Sequence, residues 1–338
     1  MQRIKTIVLE DLNISILTGV TLLILLLCAF AFGNSMYSLK NIQSMAFQIP
    51  EFGFLALAMM MSNLIGGIDL SIIATANTVA VFTALLLNGS WPLGLDGWPL
   101  VIAAAIIGML ISLLFGLFNG LLIARTSAPP IIATLGTMTL FQGIGMALTG
   151  GSSVGNIIAE FAELGKLKLL EIPFIFWLFL LAAGILWFVL TYTAFGRSLY
   201  LYGGNSVAAR FSAISNERLC ISVFLITGLL AGLSGLIILS RVNSAKVGYG
   251  DSYLLQTMIV CVIGGIHPNG GIGKVQGVVI AVLLMRVMSS AFTIMSLSPY
   301  TKKLIWGFML LLVLGLNYMV SVFYEARKRK RERKGEGV

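Results

Sequence analysis

Apolar residues run through this chain in long unbroken stretches, separated by short polar interruptions. A helix needs about 20 apolar residues to cross the hydrocarbon of a bilayer. Ten stretches are candidates: 15–33, 46–65, 70–88, 98–124, 129–150, 172–194, 219–240, 252–266, 275–292 and 303–323. The fifth and eighth are short or Gly-rich and read as broken or re-entrant. A spanning barrel would need alternating strands of about ten residues, and runs such as LLILLLCAFAF show no alternation. The pattern predicts an all-α, polytopic transmembrane helical bundle of about ten spans. It divides the chain into an N-terminal segment (1–14), a membrane domain (15–323) and a tail (324–338). The apolar run Ser15 to Phe32 is too long for a signal-peptide core and has no A-x-A site, so it reads as a retained first span.

Composition narrows the class. Of 338 residues, 58% are hydrophobic and 10% charged, and mean hydropathy is +0.98. Soluble domains average about 25% charged residues, and disorder needs low hydrophobicity, so both are excluded. The balance is 22 basic to 13 acidic residues. Seven of the bases fall between Arg327 and Lys334, next to a span, where a basic flank fixes topology and attracts anionic lipid. No nucleic-acid role is expected of it. An even number of spans puts both ends on one side, and the tail makes that side the cytoplasm. Lysines and arginines then divide fourteen inside to seven outside, with Arg286 left within the ninth span. Centrally placed, Arg286 would cost about 2.5–3.5 kcal/mol; near the span's end it is expected to snorkel. Cys28, Cys220 and Cys261 lie in apolar stretches and read as small buried hydrophobes.

Four stretches carry polar groups or breaks at membrane depth, where the backbone must find partners in protein or water. In Asn63 to Ser71 (NLIGGIDLS), two glycines interrupt the helix, and Asp69 and Ser71 can cap the next one. This is either a broken helix beside a solute path or a plain cytoplasmic turn. Gly116 to Gln142 holds Asn119, Thr134, Thr137 and Gln142, the last three on roughly one helical side. Such residues serve close helix packing, contact with a polar solute, or both. The segment 194–218 is the longest hydrophilic stretch before the tail, and span parity places it inside. Ser206 is expected to cap a short helix, Val207 to Ala213, bearing Arg210. The fourth, Gly264 to Lys274, fails as a phosphate loop, since Pro268 stands where the first glycine is needed and Val275 where Ser or Thr is needed. It reads as a tight turn, with His267 solvated.

One histidine and no HExxH, GxSxG or paired Cys-His ligands predict no catalytic residue, no metal site and no cofactor in the chain. Intramembrane acids are few (Glu51 and Asp69), which argues for energy supplied from outside the chain.

The motifs GGIDLS (66–71), NGLLIARTSAPPIIATLGTM (119–138), AFGRSLYLYGGNSVAARFSAI (194–214) and VIGGIHPNGGIGKVQG (262–277) occur in this order. Together they resemble the permease subunits of ABC importers for simple sugars, the ribose-permease type, over nearly the whole chain. The resemblance implies a dimer of such permeases, homo or hetero, in the bacterial plasma (inner) membrane, with N- and C-termini cytoplasmic. It implies cytoplasmic ABC ATPases that hold the ATP and Mg, and an extracytoplasmic sugar-binding protein. It assigns coupling to the ATPase to Phe195, Gly196, Arg197, Gly203, Gly204, Asn205, Ala209 and Arg210. Polarity and depth add a substrate path of Asn63, Asp69, Ser71, Asn119, Thr134, Thr137 and Gln142. The chain departs from the family in Ile72-Ile73-Ala74 after Ser71, and in Asp251-Ser252-Tyr253-Leu254-Leu255-Gln256, where the family is rich in acids. A permease of the same superfamily for nucleosides or amino acids, and an ion-coupled secondary transporter, are the alternatives.

Overall fold

A computed structural model describes residues 2–126, 128–313, 315 and 319, with side chains from residue 14 onward. The basic tail (324–338) and the end of the tenth predicted span lie outside the described residues. In chain order the elements are α1 (Gln2–Phe32), α2 (Asn34–Tyr37), α3 (Leu39–Leu64), α4 (Ile72–Leu87), α5 (Gly97–Thr126) and α6 (Pro130–Thr149). Then come β1 (Val154–Gly155), α7 (Ala159–Leu164), β2 (Lys168–Leu169), β3 (Ile172–Pro173), α8 (Phe174–Tyr192), α9 (Ala194–Gly204) and α10 (Ser206–Phe211). The chain continues through α11 (Asn216–Val242), β4 (Ser244–Ala245), α12 (Asp251–Ile263) and α13 (Val275–Ile294), and residues 299–313 form a further helix, α14.

Among the described residues, 7 helices are long and apolar enough to cross a membrane, and α4 and α12 are shorter apolar helices. Each of the first nine predicted spans falls on one helix, but the shortness is distributed differently from expectation. The fifth span, read as broken or re-entrant, is the continuous 20-residue helix α6. The third, read as a full span, shrinks to the 16 residues of α4, because Gly66 to Ser71 leave the helical path. The eighth is short, at 13 residues.

Helix α3 is the axis of the bundle. From Ile49 to Leu64 every side chain is buried, as expected of a helix apolar on all sides. Phe30 at 96% exposed, Ile132 at 66% and Leu181 at 61% lie on the outer helices, the apolar face that lipid requires. Between these layers α5 and α11 approach closely. A side chain at Gly116 would run into the carbonyl of Phe224, and one at Gly228 would meet Ser112 O. Without a hydrophobic drive between helices in lipid, contact of this kind depends on small residues that let backbones approach. Gly116 and Gly120 of α5 thus pack directly against α11.

Two two-stranded pairings tie the loops at one end. Strand β1 pairs antiparallel with β4, Val154 opposite Ala245, and β2 with β3, Lys168 opposite Pro173. The N-terminus of α3 lies at this end. Its C-terminus, about 39 Å away by helical rise, lies at the end that carries α9 and α10.

Candidate functional site

Helix α3 stops at Leu64, and Gly66 turns the chain with φ +74°, a conformation open to glycine. The Gly67 N–H returns to the Ser62 carbonyl at 3.0 Å. Asp69 is then buried, and its Oδ1 accepts from the Ser71 N–H (2.9 Å) and the Ser71 hydroxyl (2.6 Å). Its Oδ2 accepts from Thr227 Oγ1 of α11 at 3.2 Å. Asn119 of α5 donates to Ser71 Oγ at 2.8 Å. Thr134 of α6 closes the cluster, its hydroxyl accepting from Leu70 N–H (3.1 Å) and lying 2.9 Å from the Ile68 carbonyl. Ser71 occupies the N-cap position of α4 but makes no side-chain cap bond; Asp69 satisfies its N–H instead.

Of the proposed path residues, Asp69, Ser71, Asn119 and Thr134 are brought into this one hydrogen-bonded cluster. Thr137 is buried and donates to the Thr134 carbonyl at 3.2 Å. Asn63 is buried with its Oδ1 unpartnered. Gln142 is half-buried, about two turns along α6 from Thr134. Thr227 was not foreseen, since it is one of several hydroxyl residues, with Ser222, Ser234 and Ser240, in the apolar run of α11.

Three glycine pairs far apart in sequence meet beside this cluster. The Gly271 N–H donates to the Leu64 carbonyl at 2.9 Å. A side chain at Gly203 would strike that same carbonyl, and one at Gly270 would meet Gly66 N at 2.6 Å and Gly203 O at 2.9 Å. Tyr200 adds a hydrogen bond from its hydroxyl to the Gly273 carbonyl at 2.8 Å. The stretch 264–274, expected to be only a turn between spans, is therefore a wedge between α9 and the α3–α4 break. His267 is exposed, as foreseen.

The segment 194–218, expected to hold one short helix at Val207 to Ala213, forms a helical hairpin of α9 and α10. Thr193 Oγ1 accepts from the Gly196 N–H at 3.3 Å and starts α9. The cap of α10 is Asn205, whose Oδ1 accepts from Val207 N and Ala208 N, each at 3.0 Å; Ser206, expected to cap, is the first helical residue. Gly196 and Ala209 are buried, Phe195 and Gly203 partly so, and Arg197, Gly204, Asn205 and Arg210 exposed. The eight predicted coupling residues thus separate into an outward face and the contacts that seat it. Arg197 Nη1 donates to the Tyr192 carbonyl at 3.5 Å. Phe211, 89% exposed, and Val207 stand on the outward face and were not singled out. Burial, with a smaller effect of nearby Cys220, pushes the Tyr202 phenol above its ordinary range.

At the opposite end Arg286 overturns an expectation. It does not snorkel: it is 5% exposed and points inward. Its guanidinium lies 4.7 Å from the Phe52 ring centre and 5.3 Å from that of Tyr253, and Nη1 donates to Gln48 Oε1 at 3.2 Å. Glu51, also buried, accepts from the Tyr253 hydroxyl at 2.6 Å and faces Arg241 Nη2 at 2.7 Å.

A bundle of apolar helices, a broken helix holding a buried polar cluster and an exposed helical hairpin define a membrane transport protein. The chain belongs to the family described as branched-chain amino acid transport system / permease component, whose model matches residues 41–314. It is 30% identical over 305 residues to the ribose import permease protein RbsC of Haemophilus influenzae, covering 89% of this chain and 92% of that one. Identity to RbsC of Bacillus subtilis is 32% over 279 residues, 82% and 84% of the two chains. Identity to the autoinducer 2 import system permease protein LsrD of Yersinia pestis is 28% over 330 residues, 94% and 96%. No solved structure matches. The protein is a multi-pass membrane permease of an import system.

Proposed function

We propose that this chain translocates a simple sugar through a bacterial inner membrane, driven by ATP hydrolysis on separate cytoplasmic ABC ATPases that hold the ATP and Mg. A second permease copy or homologue and an extracytoplasmic sugar-binding protein complete the importer. Relatives named for ribose and autoinducer 2 import match nearly the whole chain. Both termini and the 194–218 hairpin lie in the cytoplasm on this reading.

The observation that carries the mechanism is the seating of α9, through Gly203, against the end of α3 and the 264–274 wedge. The outward face of the hairpin, with Arg197, Arg210 and Phe211, meets the ATPase. Closure of the ATPases moves the hairpin. Backbone contacts without intervening side chains pass that movement to the α3–α4 break and to the foot of α13. The Asp69–Ser71–Asn119–Thr134 cluster lies where the movement arrives, and Asn63, Thr137 and Gln142 extend the polar path. In alternating access, a shift of this junction opens the path on one side and closes it on the other.

The test is uptake in proteoliposomes holding the permease, the ATPase and a loaded binding protein. Ribose is expected to enter only with ATP, and Arg210→Glu is expected to abolish uptake without changing affinity for the binding protein. Competition by leucine but not ribose would favour the amino-acid reading that the family description carries. Uptake driven by an ion gradient without ATPase subunits would refute the importer reading.

A further inference from the structure

Toward the end opposite the hairpin, a buried acid and a buried base, Glu51 and Arg286, meet the same neighbours without pairing with each other. Glu51 gives its Oε2 to Arg241 at 2.7 Å and its Oε1 to the Tyr253 hydroxyl. Arg286 holds the neutral amide of Gln48 through Nη1, while its Nε and Nη2 are buried without hydrogen-bond partners. Yet Gln48, Glu51 and Phe52 are spaced i, i+3 and i+4 along α3, so they share one side of that helix. Arg286 already touches two of the three, Gln48 by the hydrogen bond and Phe52 by the ring face. Tyr253 contacts both the acid and the base. The carboxylate that Arg286 lacks therefore sits one helical turn from its present acceptor.

Arg241 differs from both. Its side chain is 30% exposed, against 1% for Glu51. It stands in the last turn of α11 and lines an open surface depression with Lys40 and Lys166. Water takes over the charge of a guanidinium that withdraws from Glu51 into that depression. Nothing comparable is open to Glu51, and a buried carboxylate stripped of its ionic partner is strongly destabilising. The outer turns of α11 therefore leave α3 only when a second cation receives Glu51. Arg286 is placed to do so with two donors unspent, and a planar guanidinium binds a carboxylate through two parallel bonds. The other polar contact between these turns and Glu51 is a hydroxyl bond, from Ser234 Oγ of α11 to the Glu51 carbonyl at 2.5 Å.

We propose that Glu51 is an exchangeable latch at the outer end of the bundle. Paired with Arg241 it holds α11 against α3 and closes that end; transferred to Arg286 it lets the end open. The inference rests on the alternating-access reading above, which makes this the outer end, and its test reads the latch itself. In intact cells expressing the whole importer, Ser234→Cys is exposed to a membrane-impermeant methanethiosulfonate, in a chain whose three buried cysteines have been replaced. Arg241→Gln is expected to raise the labelling rate about fivefold, a modest shift of a two-state population, because Glu51 is left to Arg286. Arg286→Gln is expected to lower it by a similar factor, because no acceptor remains. Since that variant can fail to fold, Gln48→Glu gives Arg286 a fixed carboxylate in a side chain of the same shape, and is expected to lower the rate as well and to slow uptake. A merely structural network would loosen in all three variants and label faster throughout. That outcome, or unchanged rates, would overturn the latch. ATP-driven uptake by the unsubstituted importer, with labelling rates that do not separate, would leave the importer reading standing and remove the latch. Separated rates with uptake driven by an ion gradient would do the reverse.

Discussion

Asp69 receives three hydrogen bonds at a point where no water replaces them. Truncating it leaves the Ser71 N–H and hydroxyl unpaired, and a buried orphan group costs about 1–3 kcal/mol. Asp69→Ala is therefore expected to lower the thermal midpoint of the permease in nanodiscs, measured by tryptophan fluorescence, while Asp69→Asn, which keeps an acceptor oxygen, recovers part of the loss. Phe211 makes the opposite case, a large ring held in the open. If its face docks on the ATPase, it has the character of an interface anchor. Phe211→Ala is expected to weaken ATPase binding by about 2 kcal/mol, near thirtyfold in Kd, with no change in permease stability; surface plasmon resonance reads the first and thermal melting the second.

Helix α9 is useful because of where it is seated. Gly203 has no room for a side chain, whereas a Cβ at its neighbour Gly204 would meet nothing within 4 Å. Overpacking a filled contact costs about 1–3 kcal/mol, and here it would also separate α9 from the wedge. Gly203→Val is expected to abolish ATP-driven uptake with the chain still inserted, and Gly204→Ala to transport at close to the original rate. Equal transport by the two variants would show that the junction passes no movement. Sequence reading marked both glycines for coupling without separating them, because their difference lies in what opposes each across the junction.

Over the whole bundle, the loops fall at two ends. The hairpin α9–α10 and the 264–274 wedge meet at one, and the β1–β4 and β2–β3 pairings lie at the other. In intact cells a membrane-impermeant maleimide is expected to leave Phe211→Cys unlabelled and to label Trp91→Cys, in a chain whose three buried cysteines have been replaced. Inverted vesicles should reverse the pattern. Labelling of Phe211→Cys from outside would place the hairpin on the wrong side for any ATPase.

The helices were readable from residues alone because the solvent is lipid. A stretch that must hide its backbone without water forms a helix whatever its neighbours are, so the runs at 46–65 and 98–124 announce α3 and α5. The Gly-Gly pair and Asp69 likewise announce a break. Which groups complete each other across the bundle depends on rotation and depth, and local pattern carries neither. Gly66, Gly203 and Gly271 are separated by scores of residues yet share one junction. Arg286 looked free to reach the interface, but the turn of α13 aims it between Phe52 and Tyr253. A side chain's distance from the end of its span can be counted along the chain, whereas the direction it faces is set only when the helices around it close.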